Sequence, residues 1–167
     1  GLPIPAAAAI LEEIHRSGGN AAACHAQMYT MGTILRHGSE EQKLRYLPGI
    51  ASGKLRLQAF GVTEPNSGTD TLALTTSAKL ENDVYFVNGQ KIWTSRAEHS
   101  DLLLLLARTS PKNNNKSKTD GLSVFLVDIR GVLNKSLKIK SIITMMNHST
   151  TELFFENMPV PVENLIG

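Results

Sequence analysis

The chain has 167 residues, 41% hydrophobic and 19% charged, which suffices for a real core and about one to one and a half domains. A net charge of +2 with no basic stripe argues against nucleic-acid binding. The longest aliphatic run, Leu102 to Ala107, is far short of the ~20 residues of a membrane helix, and the single cysteine, Cys24, excludes an internal disulfide and suits a reducing compartment.

The opening, Gly1-Leu2-Pro3-Ile4-Pro5, has no initiator methionine and no basic n-region, so it is not a secretory signal. With the turn-like end at Gly167, it suggests a piece of a longer protein. Ala7, Ile10, Leu11 and Ile14 form one helical face, which begins near Pro3 and Pro5 and ends at Gly18-Gly19. Asn20 fits the N-cap of a second helix with the stripe Cys24, Met28, Met31 and Leu35, closed by Gly38. Ser39-Glu40-Glu41-Gln42 is a capping box for a short third helix through Leu47, which Pro48 is expected to stop.

After Gly53 the pattern turns to β. Expected strands are Arg56–Phe60, Thr75–Leu80, Val84–Val87, Gln90–Thr94, Leu102–Arg108, Leu122–Asp128, Lys135–Ile142 and Glu152–Glu156. Asn88-Gly89 reads as a two-residue hairpin turn between the third and fourth. The polar stretch from Ser110 to Asp120 reads as a mobile hairpin loop. The expected class is α+β: a helical segment at 1–55, then at 56–167 a β-rich domain built as a small antiparallel barrel or sandwich.

Two segments could carry chemistry. In Phe60-Gly61-Val62-Thr63-Glu64-Pro65-Asn66-Ser67-Gly68-Thr69-Asp70, Gly61 and Gly68 permit positive φ and close approach of a ligand, and the Thr63 and Thr69 hydroxyls are free to bind oxygen-rich groups. A turn-rich connection is the plainer reading. In Asn88-Gly89-Gln90-Lys91-Ile92-Trp93-Thr94-Ser95, the only tryptophan is followed by two hydroxyls. A lone tryptophan is more often core than cofactor wall, so the residues alone leave both open. His15, His25 and His37 form no i, i+4 pair and no metal site is expected; Lys112, Lys116 and Lys118 read as a solvated loop rather than a phosphate site.

Together the segments, as Thr63-Glu64-Pro65, Gly68-Thr69-Asp70 and Asn88-Gly89-Gln90-Lys91 followed by Trp93 and Ser95, resemble the acyl-CoA dehydrogenase family. Those flavoenzymes oxidise acyl-CoA to trans-2-enoyl-CoA. The resemblance extends from Ile10 through His37-Gly38-Ser39-Glu40-Glu41-Gln42-Lys43 to Pro159-Val160-Pro161-Val162-Glu163-Asn164-Leu165-Ile166-Gly167. It implies the end of an N-terminal helical domain followed by the family's middle domain.

It also implies FAD, bound by Phe60, Val62, Thr63, Gly68, Thr69, Trp93, Thr94 and Ser95. Thr63 would meet the polar edge of the ring, Gly68 and Thr69 the pyrophosphate, and Ser95 the hydride-accepting N5; Thr69 would also lie near the acyl-CoA. Fixed donors there would stabilise the charge of the reduced ring. Thr69 and Ser95 stand where the family often has Ser and Thr, which keeps both hydroxyls. The stretch Arg96-Ala97-Glu98-His99 departs from the small residues of many members and bears on substrate specificity. No glutamate of this chain matches the family's general base, which sits in a C-terminal helical domain, so the chain is expected to be inert alone. The resemblance further implies an electron-accepting flavoprotein as partner, a homodimer or homotetramer, and a bacterial cytoplasmic or mitochondrial matrix location. An acyl-CoA oxidase or flavin monooxygenase on the same frame, or a non-catalytic β binding module, are the alternatives.

Overall fold

The computed structural model describes residues 3–111, 119–146 and 149–167. Lys112, Lys116 and Lys118, and so most of the expected hairpin loop, lie outside the described residues.

Three helices come first: α1 (Ile4–Arg16), α2 (Ala22–His37) and α3 (Glu40–Ala51). The capping box forms as the spacing requires, with Ser39 Oγ accepting from Gln42 N at 3.2 Å and Gln42 Oε1 from Ser39 N at 3.0 Å. Contrary to expectation, Pro48 lies inside α3 rather than ending it. Proline there forfeits one backbone hydrogen bond, and burial of Tyr46 and Ile50 on either side holds the turn. The buried face of α2 is Ala26, Thr30 and Ile34, rotated from the expected stripe; Leu35 is exposed. The register is set by a polar contact, since Thr30 Oγ1 donates to the Leu57 carbonyl at 2.6 Å. No side chain of α1 is buried.

The strands are β1 (Leu57–Gly61), β2 (Ser77–Glu81), β3 (Val84–Ser95), β4 (Leu102–Arg108), β5 (Leu122–Asp128), β6 (Leu137–Ile142), β7 (Thr150–Pro161) and β8 (Leu165–Ile166), with a single helical turn, α4 (Ile129–Val132), between β5 and β6. They make one eight-stranded sheet ordered β6-β7-β3-β2-β4-β5-β8, with β1 paired to β4 off that path. Most pairs are antiparallel; β1–β4 and β2–β4 are parallel. The α+β class holds, but the expected barrel does not close: β6 and β8 stand at opposite ends of the path. One end is a two-residue strand, and the other carries Lys138 and Lys140, charges that discourage further pairing at an edge.

The run Leu102–Leu105 is buried throughout because β4 is covered on both faces. Leu103 and Leu105 join Val87, Phe125, Leu153 and Phe155 in the main core, whereas Leu102 and Leu104 pack with Ile34, Tyr46, Ile50 and Leu57 under the helices. Helices and sheet are thus joined by a shared core.

One expected turn is misplaced. Val84 to Ser95 is a single strand that runs through Asn88-Gly89, where the extra residue lies on β7, and its own bulge comes later, between Lys91 and Thr94. The hairpin turn is Asn82-Asp83, both at positive φ (48° and 62°), as a two-residue hairpin of this hand requires.

Candidate functional site

The two segments singled out in the sequence meet at a buried ion pair. Glu64 and Lys91 are 5% and 0% exposed, and Lys91 Nζ lies 2.9 Å from Glu64 Oε1. Glu64 Oε1 also accepts from Thr76 N at 2.9 Å, and Oε2 from Thr75 N at 2.7 Å and Thr75 Oγ1 at 2.8 Å. Lys91 Nζ donates in addition to the Val62 carbonyl at 2.9 Å. One residue further, Ile92 N donates to the Thr63 carbonyl at 2.9 Å. Every bond here satisfies a group that would be costly to bury unpaired. The result is a rigid seam that fixes the Val62-Thr63 backbone against Lys91-Ile92.

Burial alone would push the Glu64 carboxyl up, but the hydrogen bonds from Thr75, Lys91 and Thr76 overcome it and hold it at about 2. Burial pushes the Lys91 ammonium down, opposed by Glu64; with the carboxyl this acidic, the pair is charged near neutral pH. Because the folded value lies below the ordinary 4.5, the stabilisation is complete above about pH 4.5 and is lost as pH falls toward 2, amounting to about 3 kcal/mol. Denaturant midpoints measured from pH 6 down to pH 2.5 should fall through that window, and Glu64→Gln should remove that component of the slope.

Around the seam, the expected site residues fall into three groups. Phe60, one residue before the end of β1, is half-exposed, its ring centroid 6.3 Å from that of Tyr29 on α2. Val62 and Thr63 are half-buried, and Trp93 is 58% exposed. Ser95 is exposed and, with Tyr29, His25, Asn20, Arg96 and Thr150, lines a cleft of about 580 Å³ between α2 and the end of β3. Of the expected residues, Ser95 lines this cleft, and Phe60 reaches its neighbour Tyr29.

Thr94 is different: it is 2% exposed, its carbonyl accepts from Thr151 Oγ1 at 2.7 Å, and its own Oγ1 is buried without a partner among the described residues. Gly68 and Thr69 sit exposed beyond a tight turn closed by Glu64 N to the Ser67 carbonyl (2.9 Å) and Ser67 N to the Glu64 carbonyl (3.1 Å). Among the described residues no hydrogen bond ties those two to the wall. Neither Gly61 nor Gly68 adopts positive φ, against expectation. At Gly61 a Cβ would lie 3.3 Å from Leu105 Cδ1, so packing is what favours a small residue there.

The strain sits elsewhere, at Trp93 (φ 61°) and Arg96 (φ 59°). A bulky side chain in the left-handed region costs about 1 kcal/mol or more, and both flank Ser95. Glu64 and Lys91 were read only as motif letters. A signal for Lys91 does exist: Tyr85 and Val87 point inward, and Lys91 shares their parity on the strand, a position that a lysine occupies only with a partner. Among the described residues no group of three or more His, Cys, Asp or Glu is arranged to hold a metal ion.

Residues 59–158 match the family model of the acyl-CoA dehydrogenase middle domain and residues 1–54 that of the N-terminal domain. The chain is 42% identical over 135 residues to a short-chain specific acyl-CoA dehydrogenase of Clostridium acetobutylicum, covering 80% of this chain and 34% of that protein. It is 35% identical to a glutaryl-CoA dehydrogenase of Desulfococcus multivorans, covering 97% of this chain and 41% of the relative. The solved acyl-CoA dehydrogenase of Geobacillus kaustophilus superposes with a TM-score of 0.74 at 32% identity, over 82% of this chain and 35% of that one. The chain therefore spans well under half the length of these relatives.

Proposed function

We propose, from the premise that this chain belongs to the acyl-CoA dehydrogenase family, that it forms the flavin-facing wall of an enzyme that oxidises acyl-CoA to trans-2-enoyl-CoA. The observation that carries the reading is the Glu64–Lys91 seam, which sets Val62-Thr63 against Lys91-Ile92; Phe60 and Trp93 are left exposed, and Ser95 lines the cleft.

The residues suit FAD. A flat ring with an apolar end and a polar edge needs aromatic surface and fixed donors; exposed Phe60 and Trp93 offer the first, Thr63 and Ser95 the second. When bound, FAD supplies the acceptor for the hydride that leaves the substrate Cβ. In this assignment the Val62-Thr63 backbone and Thr63 Oγ1 hold the polar edge of the ring, and Ser95 Oγ donates toward its N5 side. Trp93 excludes water from one flank. Thr94 contributes through its backbone, and Gly68 and Thr69 bind the pyrophosphate, Thr69 also meeting the acyl-CoA. Glu64 cannot remove the α-proton, because its carboxylate is buried and fully engaged. We assign the base to a part of the enzyme other than this wall.

The boundary between the helical segment and the middle domain is placed at residues 55–56. An electron-accepting flavoprotein as partner, a homo-oligomeric assembly and a bacterial cytoplasmic or mitochondrial setting complete the proposal. Among the described residues no helix is long and apolar enough to cross a membrane.

The test is direct. The purified enzyme containing this chain should be yellow, and Ser95→Ala should slow flavin reduction by acyl-CoA about tenfold, which is about 1.4 kcal/mol of lost stabilisation. A colourless protein that takes up no added FAD would overturn the reading.

A further inference from the structure

We propose that the cleft between α2 and the end of β3 takes acyl groups bearing an anionic, carboxylate-type substituent, and that Arg96 is the residue that selects them. The inference rests on the flavin reading, which places the reacting carbons beside Ser95, and it names the substrate class of that same site.

The lining is one-sided in its chemistry. Asn20, His25, Tyr29, Ser95, Arg96 and Thr150 all bring hydrogen-bond donors, three alanines of α2 supply a narrow apolar strip, and no carboxylate lines the cleft. Burial raises the Tyr29 hydroxyl above its ordinary value, so it stays a neutral donor. Among the described residues that line the cleft, Arg96 is the one arginine or lysine.

That guanidinium has no acidic partner among the described residues. Arg16, Arg56 and Arg130 are each paired with a carboxylate. Arg96, half-buried, forms no ion pair among the described residues; its Nε donates to Gln58 Oε1 at 2.7 Å. The carboxylate two residues on, Glu98, is engaged differently: its Oε1 accepts from Ser141 Oγ at 2.6 Å and its Oε2 from Ser149 Oγ at 3.5 Å. With Nε anchored, no described residue bonds the two terminal nitrogens of Arg96, and a fork of that shape matches a carboxylate bidentately.

The backbone supports the same reading. Arg96 sits in the left-handed region (φ 59°, ψ 19°), and its N–H donates to the Ser149 carbonyl at 2.8 Å. Glycine would occupy this position without strain, yet the position carries a long cation next to Ser95. Strain retained at a site is a pointer to use.

The experiment compares thioesters that share the coenzyme and differ only at the chain end. Binding of butyryl-CoA against succinyl-CoA, and of hexanoyl-CoA against adipoyl-CoA, is measured by calorimetry on the flavin-loaded enzyme. In at least one pair the carboxylate-ended member should bind at least tenfold tighter. Arg96→Gly, which suits the backbone and keeps the fold, should reduce that preference to under twofold, and Arg96→Lys should retain part of it. Equal or weaker binding of the carboxylate-ended member in both pairs would overturn the proposal, as would an Arg96→Gly protein that keeps the preference. If the preference holds in a protein that carries no flavin, the flavin reading falls and this one stands. Flavin without the preference defeats this one alone.

Discussion

Lys91→Met by itself lowers the free energy of unfolding by about 3–5 kcal/mol. The substitution keeps the volume and apolar stem of the side chain but leaves the Glu64 carboxylate buried with its neutralising charge gone. It also strips the Val62 carbonyl of a donor. The double variant Glu64→Gln/Lys91→Met should be less damaged than the single one, because no buried charge remains and glutamine still offers its one oxygen to either the Thr75 or the Thr76 amide. A cycle of the three variants by equilibrium denaturation at pH 7 measures the coupling. A loss below about 1 kcal/mol for Lys91→Met would mean that water reaches the pair and that the seam is far softer than its geometry implies.

Gly89→Ala is the second large effect, expected at about 3 kcal/mol, the upper end of overpacking costs. The added Cβ would lie 2.5 Å from Thr76 Oγ1 and 2.7 Å from Thr76 Cα, on a backbone whose φ is 145°. Because one of those atoms is main chain, no rotamer change relieves the clash. Thr76 must move, and with it the amide that donates to Glu64. On the proposed flavin assignment, the substitution should therefore weaken flavin retention as well as stability. Gly68→Ala, where a Cβ meets nothing within 4 Å, should leave stability within about 0.5 kcal/mol. Thermal melts of the two variants side by side check the contrast.

That contrast also shows what was legible in the sequence. Local signals were read correctly where one side chain decides: the Ser39 capping box, and the apolar β4, whose expected bounds match its observed ones. Asn88-Gly89 carried a strong turn signal and was misread, because its glycine answers a neighbour thirteen residues back rather than the turn. The register shift beside it places the extra residue on β7, between Phe155 and Met158, and β3 runs straight on. Pro48 and the α2 face were misread for a related reason: packing of Tyr46, Ile50 and Ile34 under the sheet outweighs local preference. In the candidate site, Phe60, Thr63, Trp93 and Ser95 could be named from motif order alone. Strand parity points Lys91 inward, but its partner is not legible locally, since the carboxylate lies 27 positions away. Thr94 and Ser95 look equivalent in a string of letters, and simple alternation from Lys91 would bury Ser95; the register shift between Lys91 and Thr94 reverses the faces, so Thr94 is buried and Ser95 exposed.

The Asn82-Asp83 turn has an effect on the order of assembly. It pairs Ser77 with Asn88, so a short, quickly closed hairpin carries Thr75 and Thr76 up to Lys91 before any distant strand has docked. Two amides, a hydroxyl and an ammonium then converge on one point. The hairpin is a ready-made carboxylate receptor, and Glu64 is its intramolecular guest. The segment that ends β1 is captured by that receptor rather than by its own strand propensity. The wall beside the cleft should therefore appear late in folding, as one event, when a single side chain is bound.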